Sequence, residues 1–471
     1  MYKKYLQLVS DLGIFAIGNL LSKMILFFLL PLYTASMTAE EYAIAELINN
    51  ATEILFPVMT LAICEAVFRY TVEKGTDKDA ILYESFRLII KGQIIAFVCL
   101  FIVQQKIHYQ YMYYYVFVII CYSIRMLLAN YAKGCGYTKC FSLSGIINAS
   151  ILVILNLILI RRMNYGVEGY LLSIAIAHLI SAAVLLFGTN AFNSLKSKKR
   201  DTLLLKTMLK YSIPLIPNSV AWWITSMFGR YVILSVEGAT AAGLYTAAIK
   251  LPAIIAVIAQ VFQQSWQLSA SREVEDKNYN KFYENILKIY SAGVFVVGSI
   301  GICITPILVK IMLKGTFLEA GKYVPMMMLA CVVQCMTIYY GAILIAFKQT
   351  KDVMKGMVLG ACNNIIISLV LIHIVGIWGV VIASVVCYLT ILLQRVLIVN
   401  KIVYLGKNYI NIIFVEAILV LQAILMSLQN VVCVGISVVL FFLILIILVF
   451  SYKTELYKFF GLLKNDKFIR F

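Results

Sequence analysis

Charge is what this sequence has least of. Only 13% of its 471 residues are Asp, Glu, Lys or Arg, about half the share of roughly 25% usual in soluble globular proteins. A soluble chain of this length needs more charge to cover its surface, so that class is excluded. Acidic residues are the scarcer sign, 22 against 40 Lys and Arg. No zinc-type or redox spacing occurs among the 11 cysteines. Cys331 and Cys335 stand at i, i+4 and not as a CxxC, and Cys64, Cys99, Cys121 and Cys387 lie inside apolar runs, as small buried hydrophobes do. The start is expected to be a first transmembrane helix and not a cleavable leader. The basic start, Met1 to Asp11, runs into more than 20 apolar residues with no small-residue cleavage site after them.

What is abundant is apolar sequence: 62% of residues are hydrophobic and the mean hydropathy is +0.93. A helix needs about 20 apolar residues to cross hydrocarbon. Fourteen segments qualify, near 12–34, 42–68, 86–103, 111–132, 141–160, 167–188, 211–235, 242–268, 286–310, 322–347, 355–375, 377–399, 409–428 and 430–450. The expected fold is therefore all-α, a polytopic membrane protein of about fourteen transmembrane helices.

The net charge of +18 would suggest nucleic acid in a soluble protein. Here the bases sit between apolar runs, so the positive-inside rule explains them. Fourteen spans place thirty of the 40 Lys and Arg on one face, six on the other and four within spans. One missed helix would invert every later loop, so a five-to-one bias supports the topology. It puts both termini on the cytoplasmic side.

The halves echo each other. Tyr137-Thr138-Lys139 precedes a helix ending near Gly166-Val167-Glu168-Gly169, and Gln349-Thr350-Lys351 precedes one ending near Gly376-Ile377-Trp378-Gly379. Lys and first Gly are 27 and 25 residues apart, and each GxxG suits a tight turn. Six helices per half give two lobes of the same orientation around a central cavity, the natural route for a transporter. The expected divisions are an N-terminal lobe 1–190, a basic cytoplasmic linker 191–210 containing Lys-Ser-Lys-Lys-Arg, a C-terminal lobe 211–400, and two further helices with a tail, 401–471.

Charges within spans cost at least ~2.5–3.5 kcal/mol each and should face a cavity or a partner. Lys23, Arg125, Arg230 and Lys250 are the cations; Glu46, Glu53, Glu65 and Glu416 are the acids. Glu46, Asn49, Asn50 and Glu53 form one polar stripe at i, i+3, i+4 and i+7. Glu65 and Arg69 read as a local i, i+4 salt bridge. Cations in a cavity argue for an anionic substrate, and a guanidinium suits bidentate phosphate contact. Gln264 and Trp266, with Gln260 and Gln267, present groups that could meet sugar, although interhelical hydrogen bonding and an interfacial Trp anchor explain them as well. His178 and His373 read as helix-packing residues. Pro31, Pro57, Pro214, Pro217 and Pro252 each remove a donor and can bend a helix.

These features resemble the Wzx-type O-antigen or capsule repeat-unit flippases of the multidrug/oligosaccharidyl-lipid/polysaccharide (MOP) exporter superfamily. Gly18-Asn19-Leu20-Leu21-Ser22-Lys23, Leu30-Pro31-Leu32-Tyr33-Thr34, Ala39-Glu40-Glu41-Tyr42, Ser212-Ile213-Pro214-Leu215-Ile216-Pro217 and Gly243-Leu244-Tyr245 carry the likeness. Where that family often has an Asp-Arg pair in the seventh helix, this chain has Gly229-Arg230. The resemblance implies an undecaprenyl-pyrophosphate-linked oligosaccharide as substrate, with the pyrophosphate at Lys23, Arg125 or Arg230. No cofactor is expected. Glu46 and Glu53 are the candidates for coupling to a proton or sodium gradient, and association with other polysaccharide-assembly proteins belongs to the same reading. The alternative is a multidrug or cation antiporter of the same superfamily. A membrane polymerase, ligase or glycosyltransferase is disfavoured, because no outer loop carries an acid–base or metal constellation.

Overall fold

Long apolar runs leave a chain in lipid one economical way to satisfy its backbone, the helix. The computed structural model describes residues 28–73, 75–196, 200–273, 279–405 and 409–464, and every regular element among them is helical. Nine described helices are long and apolar enough to cross a membrane, and two bent pairs bring the number to eleven. Two shorter apolar helices, Ser226–Val236 and Asn411–Ser427, fall where the seventh and thirteenth spans are expected. The first expected span lies almost wholly outside the described residues. Contacts divide the chain into two units, one running Leu32–Tyr231 and one taking the chain from Val232 onward together with the described residues before Leu32.

The first unit is entered through α1 (Leu30–Ser36) and α2 (Ala39–Met59). A capping box opens α2: Thr38 Oγ1 accepts from the Glu41 N–H at 3.2 Å while Glu41 Oε2 accepts from the Thr38 N–H at 2.8 Å. Pro57 withholds a donor near its end. The helix stops, Leu61 and Ala62 both take φ 51°, and α3 (Ile63–Val72) leaves at 64° to α2. Then follow α4 (Lys78–Ile107), α5 (Met112–Gly134), α6 (Thr138–Asn156) with a terminal π turn at Leu157–Arg162, and α7 (Gly166–Gly188).

The polar stretch expected to be a linker folds. It holds α8 (Ala191–Lys196) and α9 (Thr202–Ser212), which pack on α4 and on α3. α9 sends Met208 into the same core as Ile63, Val67, Leu82 and Leu127. The 3₁₀ turn Ile213–Leu215 leads into α10 (Ile216–Val236), whose last residues pass into the second unit.

The expected Glu65–Arg69 bridge is replaced. Arg69 pairs with Glu73 at 3.2 Å, whereas Glu65 sits in the first turn of α3, where the positive helix end favours an acid.

The second unit contains α11 (Gly238–Lys250) and α12 (Ala253–Glu273), bent by 44° around Pro252. α13 (Tyr279–Cys303), α14 (Thr305–Met312), α15 (Val324–Ala346), α16 (Thr350–Val375), α17 (Ile377–Ile402), α18 (Tyr409–Ser427) and α19 (Val431–Lys464) complete it. α15 is its centre, with 83% of its apolar window buried in protein against 17% for α19. α18 and α19 are tied in by Gln422, fully buried. Its amide donates to the Ser437 carbonyl at 3.1 Å, and its oxygen accepts from Ser299 Oγ at 2.8 Å.

The repeated GxxG is one corner built twice, once in each unit. Gly166 and Gly376 have φ +46° and +59°, where a side chain is strained. Each lies over a carboxylate: a Cβ at Gly166 would stand 2.8 Å from Glu41 Oε1, and one at Gly376 3.0 Å from Glu237 Oε1. Glu41 opens α2 and Glu237 directly precedes α11. Gly379 lets α17 approach the backbone of Leu371 and Ile372, which a Cβ would meet at 2.5–2.7 Å.

Candidate functional site

The polar stripe of α2 is buried as its spacing requires. Glu46 and Asn50 are 3% and 4% exposed, and Asn49 and Glu53 are half-buried. A carboxylate in this setting needs donors, and tyrosines supply them. Tyr170 Oη of α7 donates to Glu46 Oε1 at 2.8 Å, and Tyr42 Oη, one turn earlier on α2, lies at 3.5 Å. Tyr33 of α1 stacks on Tyr42 and meets Tyr170 edge-on at 5.1 Å.

α10 is fixed along the same stripe through backbone carbonyls. Trp223 Nε1 donates to Asn50 O at 3.0 Å and Tyr231 Oη to Leu47 O at 2.8 Å. This anchoring holds Arg230, the neighbour of Tyr231, beside α2. Arg230 is only 6% exposed. Nη1 reaches no better acceptor than Met227 Sδ on its own helix, and Nε has no hydrogen-bond partner among the described residues. Asn50 Nδ2 nearby is also without one.

Glu53, half-buried, lies one turn beyond Asn50 on α2, and a second polar group is found in the same unit. There Arg125 of α5 donates from Nε to Ser181 Oγ at 3.0 Å, and Ser181 donates onward to the Ser144 carbonyl at 2.9 Å. His178 joins Asn148 at 3.1 Å and tilts against Tyr122, as a packing histidine does. Four of the expected residues, Glu46, Glu53, Arg125 and Arg230, therefore share one unit, on α2, α5 and α10. Two cations and two acids lie within this one unit, and no close ion pair joins Arg230 to either glutamate among the described residues.

The other expected residues lie elsewhere. Lys23 lies outside the described residues. Lys250, half-buried, ends α11 at the bend. Gln264 falls on α12, and its side chain is outside what is described. Trp266 is neither an interfacial anchor nor open to a sugar here. It is fully buried, stacks on Tyr339 at 5.0 Å and 10°, and donates from Nε1 to the Tyr339 carbonyl at 3.1 Å.

One buried cation was hidden by its position. Arg395, near the end of α17, counts in the sequence as a loop base. It is 7% exposed, donates to Thr337 O at 2.6 Å and has no hydrogen-bond partner at Nε among the described residues. Gly341 makes the room, since a Cβ there would lie 2.5 Å from Arg395 Nη1. The tyrosines around Glu46 were also missed. Tyr42 carried a signal, at i−4 from Glu46; Tyr33 and Tyr170 carried none.

The fold has relatives among solved structures. The lipid II flippase MurJ in an inward closed conformation shares 15% identity at a TM-score of 0.69, over 93% of this chain and 99% of that one. An inward-facing multidrug resistance MATE family transporter of the MOP superfamily shares 12% at 0.66, over 82% and 98%. A MOP superfamily transporter from Pyrococcus furiosus, reported for the reverse polarity of its binding pocket, shares 12% at 0.58, over 85% and 96%. At these identities the likeness is one of fold, and that fold is the MOP transporter fold. No curated protein sequence matches the chain. The profile of the polysaccharide biosynthesis protein family matches residues 8–266, more than half its length. The chain is a multi-pass membrane protein that belongs to the polysaccharide biosynthesis protein family.

Proposed function

We propose that this protein flips undecaprenyl-pyrophosphate-linked oligosaccharide repeat units from the cytoplasmic to the outer leaflet of the bacterial plasma membrane by alternating access, supplying O-antigen, capsule or a similar surface polysaccharide. Both termini are cytoplasmic in this reading. The observation that carries it is Arg230: a guanidinium 6% exposed, with no carboxylate paired to it among the described residues and an idle Nε. Such a cation in an apolar unit is costly and needs a functional reason. A pyrophosphate supplies one, because it accepts paired hydrogen bonds from the planar fork. Arg125 and Lys23 are the further anion contacts, and Lys250 and Gln264 serve the sugar-bearing part of the substrate. Trp266 contributes by holding α12 against α15.

Glu46 and Glu53 are the residues that would couple transport to a proton or sodium gradient. The same acids are what favour the second reading, a cation antiporter. Against it, the stripe is accompanied by two arginines in its own unit, which would repel a cationic drug. In cells lacking their own flippase, Arg230→Ala is expected to abolish surface polysaccharide while membrane levels of the protein stay normal. Normal polysaccharide in that variant would exclude Arg230 as the anion contact.

A further inference from the structure

The segment between the sixth and seventh expected spans carries six bases and one acid from residue 189 to 210. It is held rigidly. Glu84 of α4, 1% exposed, takes two bonds from Arg87 Nη1 at 3.0 and 3.2 Å and one from the Asp201 N–H at 3.2 Å. Asp201 spends its own carboxylate capping α9, accepting from the Leu204 N–H at 2.9 Å. At the far end Ser212 Oγ donates to the Leu61 carbonyl at 2.8 Å. One side of α9 is thereby buried, with Leu204, Leu205, Met208 and Leu209 in the core of the first unit.

The opposite side has no protein cover among the described residues. Leu203, Lys206 and Lys210, at i, i+3 and i+7, share one face and are all exposed, Leu203 by 75%. Ile213 is exposed beyond them. On α8, Phe192 is exposed with Lys196 Nζ 4.5 Å from its ring centroid. Bare Leu, Ile and Phe interleaved with lysines are unsuited to plain water and suited to the headgroup boundary of a negatively charged bilayer.

We propose that the outer face of α9, together with Lys196 and Arg200, is a binding surface for anionic phospholipid headgroups, so that the linker is a fixed lipid-reading element of the first unit. That the lipid is the cytoplasmic leaflet's rests on the orientation in the proposed function. Charge complementarity decides the occupant: the one acid of the segment is used in the cap, and each lysine near an anionic surface contributes enough that losing two weakens attraction about 30-fold.

The test is titration of the purified full-length protein in detergent with phosphatidylglycerol or phosphatidylcholine, with bound lipid counted by native mass spectrometry. Wild type is expected to prefer phosphatidylglycerol. Lys206→Gln with Lys210→Gln should bind it about 30-fold more weakly, with phosphatidylcholine binding and thermal stability unchanged because both side chains are exposed. Equal phosphatidylglycerol binding by the double variant overturns the proposal. Should that variant fail to fold, wild type alone decides: its phosphatidylglycerol preference should fade in high salt, and a salt-independent preference, or none, overturns the proposal. Detergent exposes both faces and no sugar is present, so this result is independent of flipping. Labelling of a Lys206→Cys variant from outside intact cells would contradict the orientation only.

Discussion

Arg230→Met separates stability from function. In the folded protein the guanidinium is 6% exposed, its Nη1 faces a thioether, its Nε faces nothing, and no ion pair to it exists among the described residues. An unpaired cation in apolar surroundings costs at least ~2.5–3.5 kcal/mol. Methionine keeps the chain length and removes the charge. Replacing a poorly satisfied buried ion by an apolar side chain is neutral or stabilising by about 1–4 kcal/mol. The expected result is a gain of about 1–3 kcal/mol, read as a melting temperature higher by roughly 3–10 °C in a unit of this size. Transport should move the opposite way. Two charge-assisted hydrogen bonds to phosphate, at ~1.5–3 kcal/mol each, are lost, which is about 150-fold in half-saturating substrate at the lower limit. The assay is thermal unfolding of the purified protein beside flipping in proteoliposomes. An Arg230→Met protein that is destabilised, or that flips at the wild-type rate, would refute the reasoning.

Three further outcomes follow from distances. Gly341→Ala should expel the Arg395 guanidinium, since the new methyl would lie 2.5 Å from Nη1; the expected loss is about 2 kcal/mol of stability, and Arg395→Met in the same chain should restore most of it in a double-mutant cycle. Tyr170→Phe removes a 2.8 Å bond to Glu46 and should cost about 1.5–3 kcal/mol, whereas Tyr42→Phe, at 3.5 Å, should cost less; equal losses by thermal unfolding would contradict this ranking. Gly166→Ala should destabilise by about 1–2 kcal/mol from its φ of +46°, and Glu41→Ala should relieve only the contact at 2.8 Å and leave most of the loss, because the main strain is in the backbone.

Run length made the helices legible. Each apolar segment expected beyond the first coincides with a spanning helix, a bent pair or a short apolar helix, because about 20 apolar residues have few other options in lipid. The polar stripe was legible for the same reason, as i, i+3, i+4, i+7 spacing survives any packing. Residues whose meaning depends on a neighbour were not. Nothing near Tyr33 or Tyr170 says that Glu46 will need donors from other helices. Arg395 looks like a loop base because it falls only four residues before the end of its expected span, where bases are counted with the adjoining loop. The folded linker was overlooked because its lysines dominate the composition, although Leu204, Leu205, Met208 and Leu209 already had helical spacing.

The central claim is that a cationic site in this protein moves a lipid-linked pyrophosphate. The most direct measurement is reconstitution of the purified full-length protein in liposomes carrying a fluorescent undecaprenyl-pyrophosphate oligosaccharide, with a membrane-impermeant quencher reporting the substrate that reaches the opposite leaflet. The account predicts wild-type flipping that Arg230→Ala abolishes, with no uptake of cationic dyes by either protein. Dye transport without movement of the lipid-linked sugar would contradict it and establish the antiporter.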